Sequence, residues 1–548
     1  MLAARSEELE YVQPVSSGCG RAASLSDEIV RVMREISGKT PLILKLDESD
    51  AQGPLRIRVR SFVETVRMKR ERGAAKRPVR ALSDPYALKF TEKDAEARVV
   101  LVPNTSHAFS RVMAAAMSTQ SLCAVPMELG GEEAIRLGKR YVHNDICFPA
   151  QIVIGEALSA LRSGRYNPKR TAIAMGKYLG DCRLTHYSAL LRKALDDAGF
   201  SEVAILTNDT EDMHHIHPGF RMNLKTSAII AFALPMIDAL AELLHKIRPY
   251  ERYAGSADRA YQRGLNFIIR GIEEESIRGA ERGFRRAIEI MNMLEYDRSK
   301  ERPKVLIVGE YLLNFHPGAN REIERYLERN GFEIIEAKMT DVIQKTYFYR
   351  DAQNKEYRLR KGMLEKGLLH VANSVFERAH ELTDRIASAH PLYERATRLH
   401  ELVRRSDPVI HHSFDAGEGV LIPGEILHHA EQGCRNFLIL QPFGCLPNHI
   451  VGRGIMKKLK EMYPEAQILA LDYDPDISMA NIENRLQLLI MNAAAAQAAE
   501  QRAAERRGST ARPTEGAHAG GSMREPSRPL GASAAFMAYR DTGELKLM

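Results

Sequence analysis

Apolar residues recur along the chain in two rhythms: short unbroken runs that suit buried strands, and longer stretches spaced three and four apart that suit helices with one buried face. The two rhythms alternate regularly in two places. In the first, residues 99–102, 122–125 and 171–175 read as strands, and 106–117 and 184–198 as helices, the last strongly amphipathic. Pro149 suits the opening turn of a further helix through 158–161. In the second, residues 303–309, 332–336, 409–412, 436–440 and 467–472 read as strands, and 321–330, 421–432 and 479–491 as helices, with Gly433 closing the middle one. Between the two places run the helical patterns 224–247 and 257–294, broken at Arg248-Pro249-Tyr250-Glu251.

Alternation on both sides of a helical stretch predicts an α/β protein of two Rossmann-like units joined by a helical connector. The first α/β domain spans 96–250, the connector 251–302 and the second α/β domain 303–492. Residues 1–95 have no assigned fold: 26–36 reads as a helix, 41–46 and 55–63 as strands, and the basic run 67–80 as a solvated linker. Residues 493–548 turn to Ala, Gly, Pro and Arg and are expected to be a disordered tail, with an alanine-rich start that can prolong the preceding helix.

Composition narrows the class. A chain of 548 residues exceeds one ordinary core, and 44% hydrophobic with 27% charged residues is the balance of a soluble globular protein. No apolar run reaches the roughly 18 residues of a membrane span. Residues 1–17 carry acids and lack the apolar core of a secretion signal, so a cytoplasmic protein is expected. The formal charge of +7, from 78 basic against 71 acidic residues, is a small excess on a long chain and does not call for nucleic acid. Six cysteines, Cys19, Cys123, Cys147, Cys182, Cys434 and Cys445, are too scattered for a disulfide framework, which leaves reduced thiols or a metal site.

Three of them share one local setting. Cys147 precedes Phe148-Pro149-Ala150 at a helix start, and Cys182 leads into the helix at 184–198. Cys445 lies in Gln441-Pro442-Phe443-Gly444-Cys445-Leu446-Pro447-Asn448-His449, between an apolar strand and a helical pattern beginning near Ile450. The first backbone N–H groups of a helix point outward unpaired and favour an anion such as a thiolate or its iron or zinc complex. In open parallel sheets the carboxyl ends of the strands face the ligand crevice, so convergence of the three is geometrically allowed. The alternative at each is a small buried thiol packed under a turn, and no Cys-x-x-Cys pair marks a metal site. Cys123 reads as a core residue and Cys434 as structural. In Asp212-Met213-His214-His215-Ile216-His217 the histidines offer a zinc site, with a polar loop before Pro218-Gly219 as the alternative. Residues 131–139 lack Walker spacing, Gly417-x-Gly419 lacks the third glycine of a dinucleotide fingerprint, and there is no Gly-x-Ser-x-Gly elbow.

The stretches 141–150, 180–187 with Asp181-Cys182-Arg183, 248–251, 415–419, 441–449 and 471–475 resemble the 2-hydroxyacyl-CoA dehydratase family, most closely its large acyl-CoA dehydratase activase-related proteins. The resemblance runs in the family's order across residues 96–492. It implies a [4Fe–4S] cluster held by Cys147, Cys182 and Cys445 in the cleft between the two units, with one iron left open. It also implies an activase-type ATPase, itself carrying a cluster, as the electron donor, and an acyl-CoA as the substrate. In such dehydratases one very low-potential electron enters the thioester carbonyl, and the resulting ketyl radical expels a hydroxyl that two-electron chemistry would retain. The ATPase portion that many large relatives carry upstream has no counterpart in residues 1–95, so ATP hydrolysis is expected on a separate protein. Two alternatives belong to other classes: a subunit, with or without a cluster, that docks such an ATPase without chemistry of its own, and a zinc protein built on His214, His215 and His217.

Overall fold

The computed structural model describes residues 2–16, 20–46, 52–72, 88–143, 146–176, 182–207, 217–220, 222–346, 363–414 and 416–509. The chain divides into one unit over Met1–Ala494 and another over Ala495–Met548. The first unit opens with a parallel pair, β1 (Val12–Ser16) and β2 (Leu42–Leu46), linked through helix α1 (Gly20–Ser37). Residues 55–63, predicted as a strand, lie instead in helix α2 (Gln52–Glu71), none of which is buried. The alternation Arg56-Ile57-Arg58-Val59-Arg60 mimics a strand, but so short a run does not fix the period, and arginine is a good helix former.

Two four-stranded parallel sheets follow. β3 (Val99–Val102), β4 (Cys123–Pro126), β5 (Thr171–Ala174) and β6 (Ala204–Leu206) lie in the order β4-β3-β5-β6. β7 (Lys304–Gly309), β8 (Glu333–Glu336), β9 (Asn436–Pro442) and β10 (Gln467–Tyr473) lie in the order β10-β9-β7-β8. Both sheets therefore run second, first, third, fourth. The first and third strands are neighbours in each, and the crevice at that switch point is where open parallel sheets bind ligands.

Period-two alternation assigns each strand face to a core. Leu101, Ile173 and Ile205 of the first sheet share one core with Val305, Ile307, Leu438 and Leu440 of the second. Val100, Ala172 and Ala204 face a separate core, and Leu306, Phe437 and Ile439 another. The helices of the first sheet are α3 (His107–Ser118), α4 (Glu132–Tyr141), α5 (Phe148–Arg162) and α6 (Tyr187–Asp197). All of residues 148–158 are buried, as expected of a helix apolar on every side. Fully buried His316 Nε2 meets fully buried Glu156 Oε1 of α5 at 2.8 Å, so the second half of the chain clasps this helix.

The connecting helices are α7 (Leu224–Ile247), α8 (Ser256–Glu273) and α9 (Ile277–Asn292), and they share a core of their own. The stretch Leu224–Tyr250 is long and apolar enough to cross a membrane, yet 61% of its most apolar window is buried inside the protein. The second sheet carries α10 (Tyr311–Phe315), α11 (Ile323–Arg329), α13 (Leu421–Glu431) and α14 (Met479–Ser509), whereas α12 (Met363–Ala387) packs on the connecting helices through Phe376, Ile386 and Ala387.

Four further expectations are corrected. The pattern 257–294 is two helices, parted where Glu275 takes φ 51°. The helix predicted over 321–330 starts at Ile323, because Arg321 and Glu322 are left-handed (φ 62° and 55°). Residues 409–412 form turns, with Val409 N and Ile410 N both donating to Ser406 O at 2.9 Å instead of to a strand. Cys123, expected in the core, is exposed as the first residue of the edge strand β4. The alanine-rich start of the tail does prolong the last helix, to Ser509, and residues 510–548 lie outside the described ones.

Candidate thiol and carboxyl site

At the switch point of the second sheet two neighbouring strands deliver side chains side by side. β7 ends at Gly309 (φ 135°), where a Cβ would lie 1.9 Å from Leu440 O, so only glycine lets β7 and β9 stay this close. The next residue, Glu310, caps α10, its Oε2 accepting from Leu313 N at 2.9 Å. β9 ends at Pro442, the chain turns, and Cys445 immediately precedes the short helix Leu446–Asn448. In the first sheet the third strand, β5, ends at Ala174, and Cys182 caps the 3-10 turn Arg183–His186 that opens α6. Cys147 is the N-cap of α5 and makes no side-chain cap hydrogen bond. All three cysteines thus stand at helix starts, as their sequence setting predicts.

Polar contacts knit these stretches together. The Tyr187 hydroxyl donates to Cys147 Sγ at 3.2 Å, and Asn448 Nδ2 lies 3.3 Å from Cys445 Sγ and 2.7 Å from Glu418 Oε2. Tyr311 N reaches Glu418 Oε1 at 3.3 Å. The Arg183 guanidinium donates to Gly444 O, joining the Cys182 stretch to the Cys445 stretch.

The electrostatics define one shared environment. Burial pushes the Cys147 thiol up to about 11, with Arg183 opposing and Glu310 adding to the rise. Burial and the Glu418 charge push Cys182 to about 12, with smaller contributions from Cys147 and Glu310. Cys445 is raised well above the usual thiol range by burial, then by Glu418, Cys147 and Cys182. Burial and the neighbouring Glu418 charge likewise raise Glu310, and burial raises Glu418. Two carboxyl groups in one dry field do not both ionise. Asn448 and Tyr311 donate to Glu418, and the backbone N–H groups of Leu312 and Leu313 to Glu310, so both carboxyl groups have donors while burial raises each.

The three sequence-predicted cysteines therefore fall into one another's field, although 35 to 263 residues separate Cys182 from Cys147 and Cys445. Among the described residues, the His, Cys and carboxylate atoms gathered within 4.8 Å of one another are those of His245, Glu324 and Glu336; the thiols do not form so tight a set. The five described cysteines are free thiols. His217 is buried, while His214 and His215 lie outside the described residues. Sequence reading gave no role to Tyr187, Glu310, Glu418 or Asn448. Glu310 carried a usable signal, a carboxylate directly after the glycine that ends a strand. No protein-family model matches the chain, and no curated protein matches it in sequence.

Proposed function

We propose that the chain is an iron–sulfur protein of the 2-hydroxyacyl-CoA dehydratase kind, built on two Rossmann-like units, with Cys147, Cys182 and Cys445 as ligands of a [4Fe–4S] cluster. It receives single electrons from a separate activase-type ATPase and acts on an acyl-CoA in the cytoplasm. What supports this reading is that three free, half-buried thiols from three separate stretches, all at helix starts, lie near enough to influence one another's ionisation beside a sheet switch point. The donor set fits the group. Thiols raised by burial stay protonated on their own, and a polycationic centre among them favours their thiolate forms. When bound, such a cluster supplies a low-potential electron to a substrate oxygen-bearing group.

The surrounding side chains have distinct tasks. Tyr187 and Asn448 hydrogen-bond two of the sulfurs, which orients them and tunes the potential. The Glu310 and Glu418 pair, raised by burial, would hold a proton in the same field, where a departing hydroxyl would need one. The test is anaerobic purification or reconstitution followed by iron and sulfide analysis. About four of each per chain are expected, falling sharply in Cys147→Ala, Cys182→Ala and Cys445→Ala. Addition of an activase homologue with ATP and reductant should then change the paramagnetic signal only when nucleotide is present. A folded protein that takes up neither iron nor sulfide would sink the reading, and a cluster whose reduction ignores ATP would favour a docking or carrier subunit.

A further inference from the structure

A second set of ligand-type side chains lies where three elements meet, away from the thiols in sequence. His245 stands near the end of α7, Glu324 in α11 and Glu336 at the end of β8. The His245 side chain is only 5% exposed, and its Nε2 points between two carboxylate oxygens, Glu336 Oε2 at 3.4 Å and Glu324 Oε2 at 3.8 Å. Charge-assisted hydrogen bonds close to about 2.7–2.9 Å, so neither contact is a made bond of that kind. Ligand atoms about 2.0–2.2 Å from a shared tetrahedral ion stand roughly 3.4 Å apart; the Glu336 contact has that spacing, the Glu324 contact is longer, and all three ligand atoms lie within 4.8 Å of one another.

The other ring nitrogen is already provided for. Nδ1 faces Glu328 Oε1 at 3.5 Å, as long a contact as those of Nε2, and the Arg248 guanidinium, itself a donor, lies 3.2 Å away. Metal-bound imidazoles commonly turn their second N–H to such a carboxylate. Charge points the same way. Arg248 grips Glu328 through two bonds, at 2.7 and 2.8 Å, but reaches Glu324 only at 3.8 Å. Glu324 thus stays outside the grip of Arg248, and it and Glu336 each turn one carboxylate oxygen toward the same buried imidazole nitrogen.

We propose that His245, Glu324 and Glu336 bind a first-row divalent cation of the zinc class, a clip that ties the helical layer to the second sheet. The ligand set is nitrogen and oxygen, in contrast to the thiols, and this separates the two sites by spectroscopy. Cobalt(II) titrated into the purified full-length protein should bind one equivalent with visible d–d absorption and no thiolate charge-transfer band, and zinc should displace it. Glu324→Gln, whose side chain is partly exposed and makes no tight bond, should keep the fold by circular dichroism and weaken binding at least about 100-fold, with Glu336→Gln behaving alike. Zinc should also raise the wild-type melting temperature and leave that of Glu324→Gln unchanged. Absence of binding up to about 1 mM, binding that shows thiolate charge transfer only, or binding indifferent to both glutamine variants would each overturn the proposal.

Discussion

Asp384 illustrates what a single side chain contributes where charge is half removed from water. Its carboxylate accepts from the Tyr393 hydroxyl at 2.6 Å, from Arg398 at 2.7 Å and from Arg395 at 3.2 Å, and Arg398 is only 6% exposed. Burial opposes ionisation, but these donors outweigh it and hold the group below the usual carboxylate range. A depressed folded-state value contributes stability that is present above the unfolded value of about 3.9 and is lost as pH falls through the folded one. Asp384→Asn should therefore cost about 2 kcal/mol at pH 7, and its deficit relative to the wild type should shrink in unfolding measurements below about pH 4. A deficit that is the same at both pH values would assign the loss to packing. At this scale the cysteines were readable in advance and their carboxylate neighbours were not. An N-cap is a property of five or six adjacent residues, whereas Glu418, just before α13, meets Asn448, just after β9, only through the tertiary fold.

Elements meet most closely where side chains are missing. A Cβ at Gly138 of α4 would lie 1.9 Å from Gln151 O of α5, and one at Gly155 of α5 would lie 1.8 Å from Ala134 O of α4. The two helices touch backbone to backbone, and any added methyl must part them. Gly155→Ala is expected to destabilise by about 2–3 kcal/mol, whereas Gly367→Ala, in α12 with open space around it, should stabilise by up to about 1 kcal/mol. Thermal unfolding of the two variants decides this, and equal effects would show that the contact is not tight. Most elements were legible from periodicity, since buried parallel strands and one-faced helices have different periods. The failures share a cause. Residues 55–63 and 409–412 are short strand-like patterns whose partners, or lack of them, are set by tertiary contacts that no local pattern records. Arg321 and Glu322 break a helix through backbone angles that their side chains do not announce.

For the whole molecule, the last helix marks where the folded unit stops. Ile482, Leu486, Leu489 and Ala493 of α14 are buried in the core shared by both sheets, and the unit closes at Ala494. Removing residues 495–548 should move the melting temperature by no more than about 2 °C, while Leu486→Ala should cost about 3 kcal/mol. A large shift on truncation would show that the alanine-rich extension packs on the body. The clasp of His316 on Glu156 has a further consequence, in the order in which the protein is made. The helix that carries Cys147 is enclosed by strands from both halves, and Cys445 follows β9, far along in the second half. A nascent chain that has completed its first sheet holds two of the three thiols and an exposed apolar helix. The three thiols can be brought together only after the second sheet has been made, so assembly of the site reports that both halves have folded.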